Sequence, residues 1–248
     1  MVISHTPNLA AGGMCAWRLP SDESGPAAAR SLLQQVMTRL GLRRDVIEDG
    51  RLAVSEAATN ALRHARPEPL GSCTPPELWI WARTIPAPQL VVSVFDCARG
   101  ALPRASGTGL LDEHGKGLGL LAAFTAEWST APSRSRLSVQ RTPGKTVWFA
   151  LPLPSDWPGL NLEVQPGTAA QCLLLNLGER GYSGARSSGD EGVFVVELRG
   201  LNVWVLGGQF RWQAEPGRCV RRPLVDLQET AELVVRHLEG IPSASPTP

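Results

Sequence analysis

The chain has 248 residues, of which 43% are hydrophobic and 19% are charged, and its formal net charge is +1. This composition is typical of a globular protein with one large or two modest domains, and it argues against an extended basic surface for nucleic acid. No apolar run approaches the roughly 20 residues of a membrane helix, and no signal peptide is evident at the N-terminus. We therefore expect a cytoplasmic protein with no membrane segment and no direct nucleic-acid partner.

In the first part of the chain, helical and strand patterns alternate with turns rich in proline and glycine. Ser24 and Pro26 suit the start of a helix and Gly41 suits its end, while Arg66-Pro67 ends a longer helix without internal proline. In chain order we predict a strand at 15–19, helices at 26–40 and 43–65, strands at 78–84 and 90–95, a mobile glycine-rich loop at 101–116, a short helix at 118–126, and strands at 128–130, 136–141 and 146–151.

Three prolines between residues 152 and 158 mark a boundary, after which the pattern indicates a smaller α+β domain. For this domain we predict helices at 169–180 and 224–238, a hairpin of strands at 193–198 and 202–206, and a further strand at 210–212. Trp204 and Trp212 could anchor an interface, although packing in the core is the favoured interpretation. The predicted divisions are a domain at 14–153, a domain at 159–240 and a disordered Pro/Ser-rich tail at 241–248.

The cysteines and lysines are distributed unevenly. Five cysteines are scattered without a C-x-x-C pair, and an odd number without metal-binding spacing predicts reduced thiols rather than a disulfide framework or a zinc site. Basic residues are almost all arginines, and the two lysines, Lys116 and Lys145, each lie next to a glycine. The arginine bias is an expected result of genome composition.

The longer helix has a polar side as well as an apolar one. Glu56, Asn60 and His64 stack one turn apart, opposite an apolar stripe that includes Val54 and Ala58. A carboxylate and a carboxamide in this arrangement suit a magnesium–nucleotide site, because an amide oxygen can bind a hard cation and a carboxylate can polarise a hydroxyl. The alternative is an ordinary solvated helix face, with His64 as a capping or packing residue rather than a ligand.

Two further segments have residues suited to a nucleotide. Asp96 ends an apolar strand, where it could either form a turn or accept a hydrogen bond from an exocyclic amine. The run of residues 115–120, Gly-Lys-Gly-Leu-Gly-Leu, precedes a predicted helix, and its glycines would let the backbone approach phosphate oxygens. A simple glycine-rich hinge is the alternative interpretation of this second segment.

The Gly144-Lys145-Thr146 segment superficially suggests a phosphate-binding loop of the Walker A type. That motif requires a glycine five residues earlier, where this chain has Val139, and it precedes a helix rather than a strand. We therefore reject a Walker A interpretation.

The order and spacing of these four segments resemble the GHKL ATPase domain of histidine kinases and Hsp90 chaperones, most closely in its anti-sigma-factor serine/threonine kinase type. The resemblance depends on E-A-A-T-N-A-L-R-H-A, H-G-K-G-L-G-L-L and G-K-T-V-W, and it spans residues 14–153. It implies a Bergerat-type ATP-binding fold, an α+β two-layer sandwich with a mixed, mostly antiparallel sheet covered by helices. The C-terminal α+β extension resembles no family that we identify.

The resemblance also implies roles for individual residues. Glu56 would be the catalytic base, Asn60 would bind Mg²⁺, Asp96 would bind adenine, and Thr146 would lie on the strand that closes the adenine pocket. Residues 101–114 would form a short lid over ATP. The remaining residues would shape the phosphate-facing part of the site: Gly100, Gly115, Lys116, Gly117, Leu118 and Gly119. One departure is Ala98, which replaces the first glycine of the family's Asp-x-Gly-x-Gly pattern.

The function implied is an ATP-binding regulatory protein that uses ATP and Mg²⁺ to phosphorylate a small antagonist protein and sequester a sigma factor. One alternative is an ATP-gated protein-binding module without catalysis, and another is a structural adaptor with an inactive nucleotide site. Either a monomer or a homodimer is compatible with the sequence. A self-contained sensor histidine kinase is disfavoured because no phosphoacceptor histidine module precedes the ATP-binding part.

Overall fold

The computed structural model describes residues 8–64, 74–99, 121, 124–189, 192–215 and 217–240. Its first sheet has five strands in the order β1-β2-β3-β5-β4, and each neighbouring pair is antiparallel. The strands are β1 (Met14–Arg18), β2 (Glu77–Arg83), β3 (Gln89–Asp96), β4 (Glu127–Arg134) and β5 (Pro143–Pro152). A mostly antiparallel sheet combined with helices confirms the predicted α+β fold class.

Helices α1 (Gly25–Arg39) and α2 (Arg44–His64) pack together and cover one face of this sheet. Pro26 lies in the first turn of α1, and Gly41 has a φ of 68° directly after its end, as the sequence predicts. Ser24 occupies the N-cap position, but its hydroxyl donates to Asp22 instead of capping the helix. The alanine-rich side of α2 is buried against the sheet, which fixes the helix close to β3 and β5.

Two predictions for the end of this sheet are wrong. Residues 136–141 form a turn instead of a strand, because the backbone N–H groups of Arg136 and Leu137 donate to the Glu77 carboxylate. The strand predicted at 128–130 extends to Arg134. Its Pro132 is tolerated because β4 lies at the edge of the sheet, where a missing N–H costs no ladder bond.

The central strands β3 and β5 approach each other very closely at Gly144. A Cβ atom at this position would lie 2.2 Å from the Asp96 carbonyl oxygen and 2.6 Å from the Phe95 ring. A glycine is therefore required here for steric reasons. The same register places Asp96 directly opposite Lys145.

The second sheet is an antiparallel meander with the strand order β10-β9-β8-β7-β6. Its strands are β6 (Gly184–Ser188), β7 (Phe194–Leu198), β8 (Leu201–Leu206), β9 (Gln209–Glu215) and β10 (Arg218–Pro223), and its helices are α3 (Pro166–Glu179) and α4 (Leu227–Gly240). The sequence did not predict β6 and β10. Both are edge strands, β6 is exposed along its whole length, and β10 has no fully buried residue, so neither has a buried alternation to recognise.

The two tryptophans of the second sheet differ in burial. Trp212 is buried, as predicted, and it packs with α3 and α4 in the second core. Trp204 lies on β8 and remains 47% exposed, so the expectation that it packs in the core is wrong. Its neighbours Val203 and Val205 point inward, which turns Trp204 to the outer face.

Helix α4 covers the second face of the first sheet, so this sheet is buried on both sides. It packs on β2 and β4 above a cluster that consists of Trp79, Trp81, Val91, Phe95, Trp148 and Ala150. Trp79 stacks on Phe95 with ring centroids 5.5 Å apart, and the Arg180 guanidinium lies 4.5 Å from the Trp79 ring centroid. We call this cluster the tryptophan face.

Carboxylates of α4 pair with arginines at this interface. Arg83 contacts Glu229 at 3.1 Å, and Glu232 binds both Arg136 and Arg180. Burial raises the pKa of Glu232, but the two arginines outweigh that effect and hold its pKa below the usual value. The negative charges of α4 at this interface are therefore balanced by the positive charges of these arginines.

The prediction of reduced thiols is wrong at Cys97. Cys15, Cys172 and Cys219 are free thiols, whereas Cys97 is disulfide-bonded. Disulfide formation depends on the distance between cysteines in the fold, and scattered sequence spacing does not show it. The predicted tail at 241–248 lies outside the described residues, as does most of the predicted helix at 118–126. Within the described ranges, no helix is long and apolar enough to cross a membrane.

Candidate functional site

Helix α2 presents Glu56 and Asn60 one turn apart, and both residues are half-buried. The Asn60 side-chain nitrogen is buried without a hydrogen-bond partner. The nitrogen and oxygen of an amide are assigned from their contacts, so this finding describes an unsatisfied carboxamide rather than one particular atom. Glu56 also has no hydrogen-bond or ion-pair partner among the described residues. Buried polar groups without partners are uncommon, so the Asn60 carboxamide is a candidate for contact with a ligand.

Asp96 lies at the end of β3 and is only 1% exposed. Its Oδ1 atom accepts a hydrogen bond from the Ala98 backbone N–H at 2.9 Å and lies 3.5 Å from Lys145 Nζ. Its Oδ2 atom is buried and has no partner. Burial raises the pKa of Asp96 to about 6, although the Lys145 ammonium and the Ala98 N–H both act to lower it. At neutral pH the site therefore contains an ionised carboxylate with one unsatisfied oxygen.

Ala98 takes the place of a glycine without backbone strain. Arg141 is the only non-glycine residue with a positive φ in the part of the chain that the structure describes, so Ala98 does not need glycine's conformational freedom. Its N–H group orients the Asp96 carboxylate through the bond described above. The departure from the family pattern thus preserves the local geometry at Asp96.

Thr146 does not join this site. Side chains alternate along β5, and Lys145 and Val147 face α2 while Thr146 and Trp148 face α4. Thr146 lines a small cavity together with Trp81 and Glu229, on the opposite side of the sheet from Asp96. Thr146 lies on β5, and its side chain faces away from Asp96, whereas Lys145 lies on the same face as Asp96. A shift of one residue along a strand moves a side chain to the other face of the sheet.

Several predicted site residues cannot be placed. All of the predicted phosphate-facing residues and all of the predicted lid, residues 101–114, lie outside the described part of the chain. These predictions concern Gly100, Gly115, Lys116, Gly117, Leu118 and Gly119. His64 is the last residue of α2. Among the described residues there is no group of three or more acidic, histidine or cysteine side chains that could bind a metal on its own.

Sequence reasoning missed a contact between the Asp96 turn and the second unit. Arg99 lies three residues after Asp96, and its guanidinium binds the Glu239 carboxylate of α4 at 2.7 Å. Arg134 and the Tyr182 hydroxyl donate to the same carboxylate at 2.9 and 2.5 Å. We call Arg99, Arg134, Tyr182 and Glu239 the Glu239 cluster. Nothing in the sequence pairs residues 140 positions apart, so this contact is evident only in the fold.

The fold and the site together define the histidine kinase-like class of nucleotide-binding proteins. An antiparallel sheet is covered by two helices, the second helix supplies a carboxylate and an unsatisfied carboxamide, and a buried aspartate ends a central strand. A family model for the histidine kinase-like ATPase domain matches residues 19–148, more than half of the chain, and the chain belongs to this family. A comparison with curated proteins gave no match. Membership supports ATP binding in a regulatory role, and the family match ends before the second sheet begins.

Proposed function

We propose that this protein is a serine/threonine kinase of the anti-sigma-factor type, which transfers the γ-phosphoryl group of ATP to a small antagonist protein. The observation that most supports this proposal is that Glu56 and the unsatisfied carboxamide of Asn60 lie one turn apart on the same face of α2. Phosphoryl transfer depends mainly on positioning and charge stabilisation, so a small set of polar groups can be sufficient. A cytoplasmic location and a sigma factor as the second partner are parts of the same proposal.

The polar side chains of α2 and the end of β3 fit a magnesium–ATP complex. Asn60 would supply an amide oxygen to Mg²⁺, which commonly takes only one or two protein ligands and completes its shell with phosphate oxygens and water. Bound magnesium would neutralise charge that develops on the phosphate oxygens. Asp96 would accept a hydrogen bond from the adenine amine through Oδ2.

In the proposed reaction, Glu56 orients the serine or threonine hydroxyl of the antagonist and accepts its proton. A new bond forms between the hydroxyl oxygen and the γ-phosphorus, while the bond from that phosphorus to the β,γ-bridging oxygen breaks. The products are ADP and a phosphorylated antagonist. The half-buried position of Glu56 without a described partner leaves its carboxylate available for this proton.

The test of the proposed kinase is transfer from γ-labelled ATP to candidate antagonist proteins. Glu56→Gln should lower the transfer rate by about 100-fold or more, because general base catalysis is commonly worth that much, while ATP binding is largely retained. Glu48→Gln is the matched control, because Glu48 lies on the same helix but is exposed and paired with Arg51. Undiminished transfer by Glu56→Gln would exclude the catalytic role of Glu56.

A second candidate function is an ATP-gated binding module without catalysis. The Glu239 cluster favours it, because Arg99 connects the Asp96 turn directly to α4. In this case ATP would alter partner affinity through differential binding to two conformations. Glu56→Gln would then leave regulation of the partner unchanged, whereas a kinase would lose it. Failure to detect ATP binding by calorimetry with Mg²⁺ would instead favour an adaptor with an inactive site.

A further inference from the structure

We propose that Lys145 is a positioning residue of the nucleotide site, holding Asp96 by Oδ1 so that Oδ2 stays available to the exocyclic amine of adenine. This inference depends on the ATP-binding part of the proposed function, and it does not depend on phosphoryl transfer. The two side chains face each other across β5 and β3 in direct register, with Lys145 Nζ 3.5 Å from Asp96 Oδ1. No other lysine occurs among the described residues.

The burial of Lys145 is unusual. Its side chain is 0% exposed, and lysine is almost never fully buried without a paired charge. The pairing with Asp96 keeps two opposite charges inside the fold, on the α2 side of the sheet. Such a pair is an uncertain source of stability, because desolvation of both charges opposes their attraction. A role beyond stability is therefore reasonable for this pair.

The choice of lysine is informative because this chain otherwise uses arginine. Lysine and arginine together number 24, and only two of these residues are lysines. The buried carboxylates of α4 all pair with arginines. A guanidinium presents a fork that can bind both oxygens of a carboxylate, whereas an ammonium is a compact point charge that contacts one. At Asp96 an arginine would compete for the oxygen that the nucleotide needs.

The contacts of Asp96 differ between its two carboxylate oxygens, as the proposal requires. The Ala98 N–H group and Lys145 both approach Oδ1, and Oδ2 is buried with no partner. An unsatisfied carboxylate oxygen beside a satisfied one is a defined acceptor position. The exocyclic amine of adenine is a donor of the required kind, and a 6-unsubstituted purine has no such donor.

The experiment compares the affinity of the full-length chain for ATP and for purine riboside triphosphate, which lacks the 6-amino group. The measurement is isothermal titration calorimetry with Mg²⁺ at neutral pH. Wild type should prefer ATP by about tenfold or more, the expected effect of one hydrogen bond to a charged acceptor. The ratio of the two affinities isolates this contact, because general damage to the fold weakens both nucleotides alike.

Two variants test Lys145 itself. Lys145→Met keeps the length of the side chain but removes the charge, and Lys145→Arg keeps the charge but introduces the fork. Both should reduce the preference for ATP to within about threefold, since each removes either the ionised acceptor or its vacant oxygen. Asp226→Asn is the control, because Asp226 is also a buried aspartate with an unpartnered Oδ2, on the far side of the sheet. It should keep the wild-type preference.

The outcomes separate the two proposals. A full ATP preference in both folded Lys145 variants would show that the lysine is only a structural partner, and the inference would be wrong. Equal binding of both nucleotides by wild type would overturn the adenine contact of Asp96 and, with it, this inference. Wild type that binds neither nucleotide would overturn ATP binding as well. If Lys145→Met melts below the assay temperature, Lys145→Arg decides the question.

Discussion

The raised pKa of Asp96 predicts an ATP affinity that depends on pH near 6. Its pKa is raised from an ordinary value of 3.8 to about 6 by burial, so it is ionised at pH 7.5 and mostly protonated at pH 5. We predict that ATP affinity falls as pH decreases through about 6, because a protonated carboxyl is a weaker acceptor for the adenine amine. Calorimetry across this range measures the effect, and Asp96→Asn should flatten the profile. A profile of wild type that is flat between pH 5 and 7.5 would contradict the assignment.

The same raised pKa affects stability in the opposite direction. The unfolded chain binds fewer protons than the folded chain between pH 4 and 6, so the contribution of Asp96 to stability is present below its unfolded pKa and is lost as pH rises through about 6. The contribution of Asp226 to stability has the same pH dependence, because burial also raises its pKa to about 6. The stronger ATP binding that we predict at pH 7.5 would therefore accompany a less favourable electrostatic contribution from these two buried residues to stability.

Gly144 is required by the close approach of β3 and β5. We predict that Gly144→Ala lowers the free energy of unfolding by about 3 kcal/mol or more, because the new methyl group would overlap the Asp96 carbonyl and the Phe95 ring. Urea denaturation measures the change. Gly178→Ala is the control. It lies in α3 with no atom within 4 Å of the new Cβ, and it should be neutral or stabilising by up to about 1 kcal/mol.

For individual residues, the sequence shows which polar side chains are candidates for the site, but it does not show which face of the sheet each side chain lies on. Asp96 is recognisable because it interrupts an apolar strand, and Glu56 and Asn60 are recognisable because they stack one turn apart on the polar side of α2. Lys145 and Thr146 are adjacent in the same motif, and only the register of β5 decides which of them faces α2. That register depends on the sheet as a whole, so the sequence alone does not show which of the two residues faces Asp96.

Among the secondary-structure elements, α4 determines how the two sheets are joined. Its Glu239 carboxylate is 5% exposed and receives donors from Arg99, Arg134 and Tyr182. We predict that Glu239→Gln destabilises the protein by about 2 kcal/mol, measured by urea denaturation. This is less than for a fully buried pair, because the Arg99 side chain is 45% exposed. Glu163→Gln, an exposed change, should stay within about 0.5 kcal/mol.

The sequence predicts α4 as an amphipathic helix but not its second contact surface. Leu227, Ala231 and Val234 form the apolar stripe that packs under the second sheet. The opposite side has glutamates at positions 229, 232 and 239, which resemble an ordinary solvated face until the arginines of the first sheet are placed beside them. Charge partners distant in sequence cannot be recognised from a helix pattern alone.

For the whole molecule, the tryptophan face is an apolar surface of the first unit that a helix of the second unit covers. We predict that a fragment of residues 1–158 aggregates and binds an apolar dye, because removal of α4 would expose the indoles of Trp79, Trp81 and Trp148 together. Light scattering and dye fluorescence measure this, with the full chain as the control. A monomeric fragment with undiminished ATP binding would show that the tryptophan face does not need to be covered by α4.

The order of four motifs was enough to predict the first fold, since the family pattern fixes which elements surround the nucleotide. The packing of α4 on the back of the first sheet could not be predicted, because it joins residues about 150 positions apart through buried ion pairs. Such contacts follow from the folded arrangement and have no local signal.

The tryptophan face also gives the protein an optical signal of its own. The Trp81 indole donates to Glu229 of α4, and Trp148 lies beneath the guanidiniums of Arg83 and Arg236. Detachment of α4 would bring these indoles from a dry, cationic environment into water, and their emission would shift to longer wavelengths while the backbone circular dichroism changed little. Native fluorescence can therefore follow the position of α4 separately from global unfolding, with no label attached.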